Sequence, residues 1–537
     1  MFALCSREEI TASPKSQWAG RTLNFQDDLL NSRSRLSGIR VAFHLGNMLQ
    51  NLQTSSQGRA VEARWNRSIP RLEYLASAAA GMLILALMAH PVAGWMIVLT
   101  IAAAVVLPWG ISITSRQVTG LLIVLMLIEA VTASSLAASS DEKVGAVIRY
   151  SLGFLFVLPF VSSVWRSGIL RQGGFRGYTI YLIWALMSVS YSILPAVSFA
   201  RVIAATLPFC AFCAIASEVR SEDDARRAMG ALLVGCGIIV AANYLAIVIP
   251  SSMTWRPDRD TGILRFTGFF TEPNQVGGLM LATLGAGFIY WPIASRGKKA
   301  LAAAAMLGAA VQGAMADSRS PFVAFAIGCA LYTVWKYRVR GAIALAAVFA
   351  IFYTVAFAVP TMHEYLDRGD VASFSGRNVA WDFAVRRVKE RPLLGYGYEV
   401  EGQILNSQYF PGWDEVWSEG YQSSLHDGFL SRAAGLGIPA LLFWLFLTIR
   451  PMISCFFRNR DPWNLRSIVM LASLPVFILY FTESVSDFRS FAGILMALAW
   501  SMLERERLFA LEQAAGRAKI AEASKAPIVR ALQAGHA

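Results

Sequence analysis

The feature that most constrains this chain is a series of apolar runs without an ionised side chain. Val234 to Pro250 is one and residues 92–113 another, each near the roughly 17–25 residues that cross a hydrocarbon core of about 30 Å. Composition agrees, since of 537 residues 55% are hydrophobic and 15% charged, with a mean hydropathy of +0.48. That balance excludes a water-soluble enzyme and implies an all-α polytopic membrane protein. Spans are expected near 72–90, 92–113, 117–138, 144–165, 175–194, 198–217, 228–250, 274–294, 299–316, 320–336, 341–361, 426–449, 466–483 and 488–503, about 12–14 in all.

Residues 1–70 read as a polar, basic cytoplasmic tail, expected to be disordered. They do not read as a signal peptide, because Arg7, Glu8 and Glu9 come early and no apolar region precedes residue 72. Residues 71–505 form the transmembrane domain and 506–537 a cytoplasmic C-terminal tail. The net charge of +13 is first of all orientation signal. With the N-terminus inside, the basic clusters Arg166/Arg171/Arg176, Arg220/Arg226/Arg227, Arg296/Lys298/Lys299, Lys336/Arg338/Arg340 and Arg450/Arg458/Arg460/Arg466 all fall on the cytoplasmic side. No nucleic-acid motif accompanies the charge. Cys210 and Cys213 form a CxxC, but inside an apolar helix with no second ligand pair they read as packing residues.

Two outer loops are long, about 251–273 and 362–425, and long connections usually carry function. Polar patches cluster on that face. They are Phe269–Asn274 with Glu272 and Pro273, Asp317–Pro321 with Arg319, Ser375–Arg377 followed by Trp381 and a short amphipathic helix that must stop before Pro392, Leu425–Gly428 with His426, and Asp487–Arg489. Arg149 and Arg201 lie one to two turns into spans descending from the same side. Several helix N-termini bearing arginines form an anion receptor, and guanidinium groups, which recognise phosphate oxygens bidentately, suit a diphosphate. Arg265, Arg319, Arg377, Arg149, Arg201 and Arg489 are the candidates, although Arg149 has Glu129 as an alternative partner and Arg489 has Asp487 or Glu483. His426 is the expected base, with Glu272 either a second base or a helix cap. Asn274, Trp381, Tyr396 and Trp413 are candidate glycan contacts, the aromatic residues offering flat faces to sugar rings. Asp258-Arg259-Asp260 has the DxD form but is too common a tripeptide to assign to a metal.

Taken in order, Phe270-Thr-Glu-Pro-Asn274, Ser318-Arg319, Ser375-Gly-Arg377 with Trp381, Pro392-Leu-Leu-Gly-Tyr-Gly397 and His426-Asp-Gly-Phe-Leu followed by Gly435 and Gly437 resemble the O-antigen ligase and polymerase superfamily. The resemblance covers about residues 75–505. It implies a bacterial inner-membrane glycosyltransferase with both termini cytoplasmic and a periplasmic active site, acting on an undecaprenyl-diphosphate-linked glycan with inversion and without metal or other cofactor. Carried over residue by residue, Arg265, Arg319 and Arg377 hold the diphosphate and His426 serves the acceptor. The family commonly has Asn after this histidine, where this chain has Asp427. Membrane lipids, a chain-length regulator and a flippase of the same pathway are the implied partners. A polymerase of repeat units is the expected function. The alternatives are a ligase acting on lipid A core or another acceptor and, in a different class, a polysaccharide-precursor transporter or flippase.

Overall fold

The computed structural model describes residues 164–248 except 166, 254–257, 264–358, 377–400, 425–457, 465–534 except 484, 486, 487 and 489, and most of 120–130. The N-terminal tail and the spans expected at 72–90 and 92–113 lie outside the described residues, as does nearly all of 144–165.

In chain order the helices are α1 (Gly173–Met187), α2 (Pro195–Glu218), α3 (Glu222–Val248), α4 (Pro273–Tyr290), α5 (Arg296–Met315), α6 (Arg319–Ala358), α7 (Arg377–Glu390), α8 (Gly428–Leu436), α9 (Ile438–Phe457), α10 (Arg466–Leu479) and α11 (Phe491–Ala534). Helices α2, α3, α4 and α9 are long and apolar enough to cross a membrane. The chain is an all-α polytopic membrane protein. Its strands among the described residues are the three-residue β1 (Trp255–Pro257) and β2 (Leu264–Phe266), an antiparallel pair in which Arg256 stands opposite Arg265. The long connection expected at 251–273 therefore contains a short antiparallel strand pair where the sequence suggests irregular chain.

Within α6 the spans expected at 320–336 and 341–361 are two helices that meet at a kink at Arg338, whose backbone is non-helical at φ 51° and ψ −128°, in the basic stretch where the sequence places the break. The span expected at 426–449 is corrected: residues 428–436 fold as the separate helix α8, and the long apolar helix starts only at Ile438. Gly437 makes the break at φ 86°, and a Cβ there would lie 2.3 Å from the Leu393 carbonyl oxygen. The last helix, α11, continues through Ala534 without a boundary at residue 505.

Residues Pro392 to Gly397 are docked on that break by their backbone. Tyr396 N–H donates to the Ala434 carbonyl at 2.9 Å, Gly397 N–H to Gly435 at 2.8 Å, and Ile438 N–H to Pro392 at 2.8 Å. Gly395, at φ 67°, lets the chain turn into this contact. Helix α7 ends at Glu390, before Pro392, as expected.

Helix α4 lies at the centre, against α3, α5, α6 and α11, and its glycines set the spacing, as small residues do between membrane helices. A Cβ on Gly277 would meet Ser318 Oγ at 2.3 Å and Pro321 Cγ at 2.8 Å, so the start of α6 rests directly on α4. Within α10, Val469–Ser473 form a π-helical turn. The carbonyl oxygens of Leu471 and Met470 in this turn lie 2.6 Å and 2.5 Å from where a Cβ would stand on Gly285 of α4 and Gly328 of α6. Elsewhere, Glu504 of α11 is 1% exposed, accepts from Gly174 N–H at 2.6 Å in the first turn of α1 and pairs with Arg507 at 2.5 Å. A carboxylate is well placed at a helix N-terminus.

The packing at Gly277 is testable. Gly277→Ala should lower the thermal midpoint in detergent by the equivalent of about 1–3 kcal/mol, the usual cost of overpacking. Gly297→Ala, where a Cβ meets nothing within 4 Å, should leave the midpoint at or slightly above the original.

Candidate functional site

The starts of α4, α6 and α8 and the Arg377 end of α7 build the site. Pro273 occupies the first turn of α4 with Glu272 at the N-cap, where a residue without an N–H costs no hydrogen bond. Helix α6 starts at Arg319 after Ser318, and Arg377 is the first described residue of α7. Helix α8 is capped by Asp427, whose Oδ1 accepts the N–H groups of Phe429 at 2.9 Å and Leu430 at 2.8 Å. Burial pushes the Asp427 carboxyl up from its ordinary range, and these two bonds oppose the shift.

The residue that joins these starts is Glu483, 9% exposed in the connection after α10. Its Oε2 faces His426 Nδ1 at 3.1 Å and accepts from Asn274 Nδ2 at 3.2 Å, and its Oε1 pairs with Arg377 Nη2 at 3.3 Å. Arg377 also donates from Nη1 to the Thr482 carbonyl at 2.5 Å. The network continues through Asn274 Oδ1, which accepts from Ser318 Oγ at 3.4 Å. Beside Ser318, Arg265 of β2 donates to the carbonyls of Ala316 at 3.0 Å and Asp317 at 3.1 Å, and Arg319 Nε pairs with the Asp317 carboxylate at 3.3 Å. Asp317, His426 and Phe488 all hold left-handed backbones, with φ of 49°, 47° and 63°. Such conformations cost roughly 1–3 kcal/mol each in a non-glycine residue and persist where the surroundings impose them.

The structure therefore brings Arg265, Arg319, Arg377, Asn274 and His426 into one polar network. Trp381 stands beside it, donating from Nε1 to the Leu425 carbonyl at 2.8 Å, next to His426. Arg201 lies elsewhere, on the Glu399 carbonyl at 2.6 Å. Glu272 is exposed and its side chain makes no capping bond. Tyr396 is 2% exposed, with its hydroxyl on Glu390 at 2.9 Å and the Arg391 guanidinium over its ring at 4.8 Å. That burial, with the Glu390 bond, pushes its phenol up to about 12, and in this conformation it is a packing residue without an open ring face. Arg149, Arg489, Trp413 and the Asp258–Asp260 tripeptide lie outside the described residues.

Sequence reasoning misses Glu483 as the hub, and also Arg256, which donates to the Thr271 carbonyl at 2.8 Å beside the start of α4. It misses Arg432 too. That guanidinium lies 4.0 Å from the Trp444 ring centroid and 4.6 Å from that of Tyr480, and donates to the Gly428 carbonyl at 2.7 Å. With the Gly428 N–H on the Tyr480 carbonyl at 2.7 Å, it pins α8 to the connection that carries Glu483. The available signal was an arginine four residues after Gly428 in an otherwise apolar helix.

Residues 301–445 match the family model described as O-Antigen ligase. Over this segment the chain is similar to the O-antigen ligase family. The match includes Arg319, Arg377 and His426, whereas Arg265, Asn274 and Glu483, to which the fold connects them, lie outside it. Among curated proteins, no match to the chain is found. The family supports a membrane glycosyl-transfer role in O-antigen or polysaccharide assembly.

The cap accounts for Asp427 in an O-antigen ligase segment where the resemblance leads one to expect Asn. Either side chain accepts the same two N–H groups, so Asp427→Asn should keep the thermal midpoint within experimental scatter. Asp427→Ala should cost about 1 kcal/mol, read as a lowered midpoint in detergent.

Proposed function

We propose that this protein polymerises undecaprenyl-diphosphate-linked oligosaccharide repeat units at the periplasmic face of the bacterial inner membrane. The observation that carries the reading is that Arg377 and His426 share the carboxylate of Glu483, while two hydrogen bonds lead from it through Asn274 to Ser318, next to the Asp317 that both Arg319 and Arg265 contact. Anion-binding and proton-accepting groups thus occupy one site, as glycosyl transfer from a diphosphate donor requires.

In this mechanism an acceptor hydroxyl attacks the anomeric carbon from the face opposite the diphosphate. The new glycosidic bond forms with inversion as the bond to the diphosphate oxygen breaks, and His426 takes the hydroxyl proton. Negative charge grows on the departing undecaprenyl diphosphate. Arg265, Arg319 and Arg377 and the helix starts around them stabilise that charge, the role a divalent metal plays in other transferases. The protein acceptors that hold these guanidinium groups pre-orient them, so little reorganisation accompanies reaction. A ligase reading has one observation in its favour, the description of the matched family. It differs in the acceptor and leaves the donor chemistry unchanged.

Purified protein, undecaprenyl-diphosphate-linked repeats and a gel that resolves glycan length test the proposal. Lengthening products that persist in EDTA and vanish in His426→Ala are expected. Transfer in a single step, only after a lipid A core acceptor is added, would establish the ligase, and no transfer to any acceptor would favour a transporter. Arg319→Lys and Arg377→Lys should each slow turnover at least about tenfold with the protein still in the membrane, because charge is kept and bidentate geometry lost.

A further inference from the structure

We infer that Glu483 is a positioning residue that fixes the tautomer and orientation of His426, so that Nε2 is the atom that receives the acceptor proton. The inference rests on the reading of His426 as the base. An imidazole is useful as a base only when its lone pair sits on the correct nitrogen, and the partner of the other nitrogen decides which that is. Here Nδ1 faces Glu483 Oε2 at 3.1 Å. A carboxylate oxygen accepts and cannot donate, so the proton resides on Nδ1 and the lone pair on Nε2.

Three further observations favour a built arrangement over a chance contact. The carboxylate is itself held, by Asn274 Nδ2 on the same oxygen and Arg377 Nη2 on the other, so it cannot swing away from the ring. The ring is presented from a left-handed backbone at φ 47°, one residue before the Asp427 cap that fixes the start of α8. The two segments that carry the pair are pinned together by Arg432 between the rings of Trp444 and Tyr480 and by the Gly428 N–H bond to Tyr480. As the proton moves to Nε2 the ring becomes cationic, and the fixed carboxylate stabilises that charge without moving. Glu483 therefore acts on the reaction through His426.

The first test needs no substrate. Nitrogen NMR of 15N-histidine-labelled protein in lipid at alkaline pH, with the His426 signals assigned by their loss in His426→Ala, should show the Nδ1–H tautomer in the wild type. Glu483→Gln should show a mixture of the two tautomers. An Nε2–H tautomer in the wild type would overturn the inference.

The second test is kinetic. Glu483→Gln should lower kcat on the order of 10²-fold, within the 10²- to 10⁴-fold that a positioned base contributes, with the donor KM changed less than about threefold. In a His426→Ala background Glu483→Gln should cost at most a few-fold further, since the effect exerted through the ring is gone and the glutamine side-chain oxygen still accepts from Arg377. A loss of the same size in both backgrounds, or a rise in KM that matches the fall in kcat, would mean a structural role and overturn the inference. Wild-type kcat in Glu483→Gln beside an inactive His426→Ala would overturn it while leaving the base in place. Near-normal turnover in His426→Ala would remove the base and this inference together.

Discussion

A carboxylate taken out of water must be paired or it destabilises the fold that buries it, and at 9% exposure Glu483 is in that position. Its partners come from three segments: Asn274 from the first turn of α4, Arg377 from α7 and His426 from the approach to α8. None of these segments is held to the others by continuous chain over a short distance. The demand of one buried charge thus ties these three segments together.

Around that centre the chain uses backbone more than side chains to build. The carbonyls of Ala316, Asp317 and Thr482 orient Arg265 and Arg377, and the Pro392–Gly397 segment docks on the α8–α9 break through three backbone bonds. Side chains of arginine are long and costly to order. Fixing them on carbonyls meets that cost in the folding of the protein and leaves less of it to the binding of a ligand.

Much of the fold is legible in the sequence because its signals are local. Hydropathy places α2, α3, α4 and α9, Pro273 marks the start of α4, and Pro392 limits α7. The start of α9 is not legible by this means, because Gly428–Leu436, apolar apart from Ser431 and Arg432, runs into Ile438 without a polar break, and only the geometry at Gly437 separates the two helices. The site is legible in part, through Arg319, Arg377 and His426, whose motifs appear in order. Glu483 is not, since a single glutamate at the end of an apolar run reads as a turn charge. It gains its importance from partners 57, 106 and 209 residues away in the chain, and no local pattern encodes such distances. Tyr396 shows the converse, an aromatic ring that sequence assigns to sugar contact and packing has enclosed.

The π-helical turn at Val469–Ser473 carries one more residue per ring than an α turn. It therefore resets the angular phase of everything that follows in α10. Deleting one residue there would restore a regular helix and rotate the segment beyond it by about 100°, carrying Tyr480 and Glu483 around the helix axis with it. Hydropathy would hardly register the change, yet the hub would face another direction. Residue count through this apolar stretch is thus a parameter of the site in its own right, and a variant with an insertion or deletion in α10 would keep its membrane insertion while losing the register that aligns Glu483 with its partners.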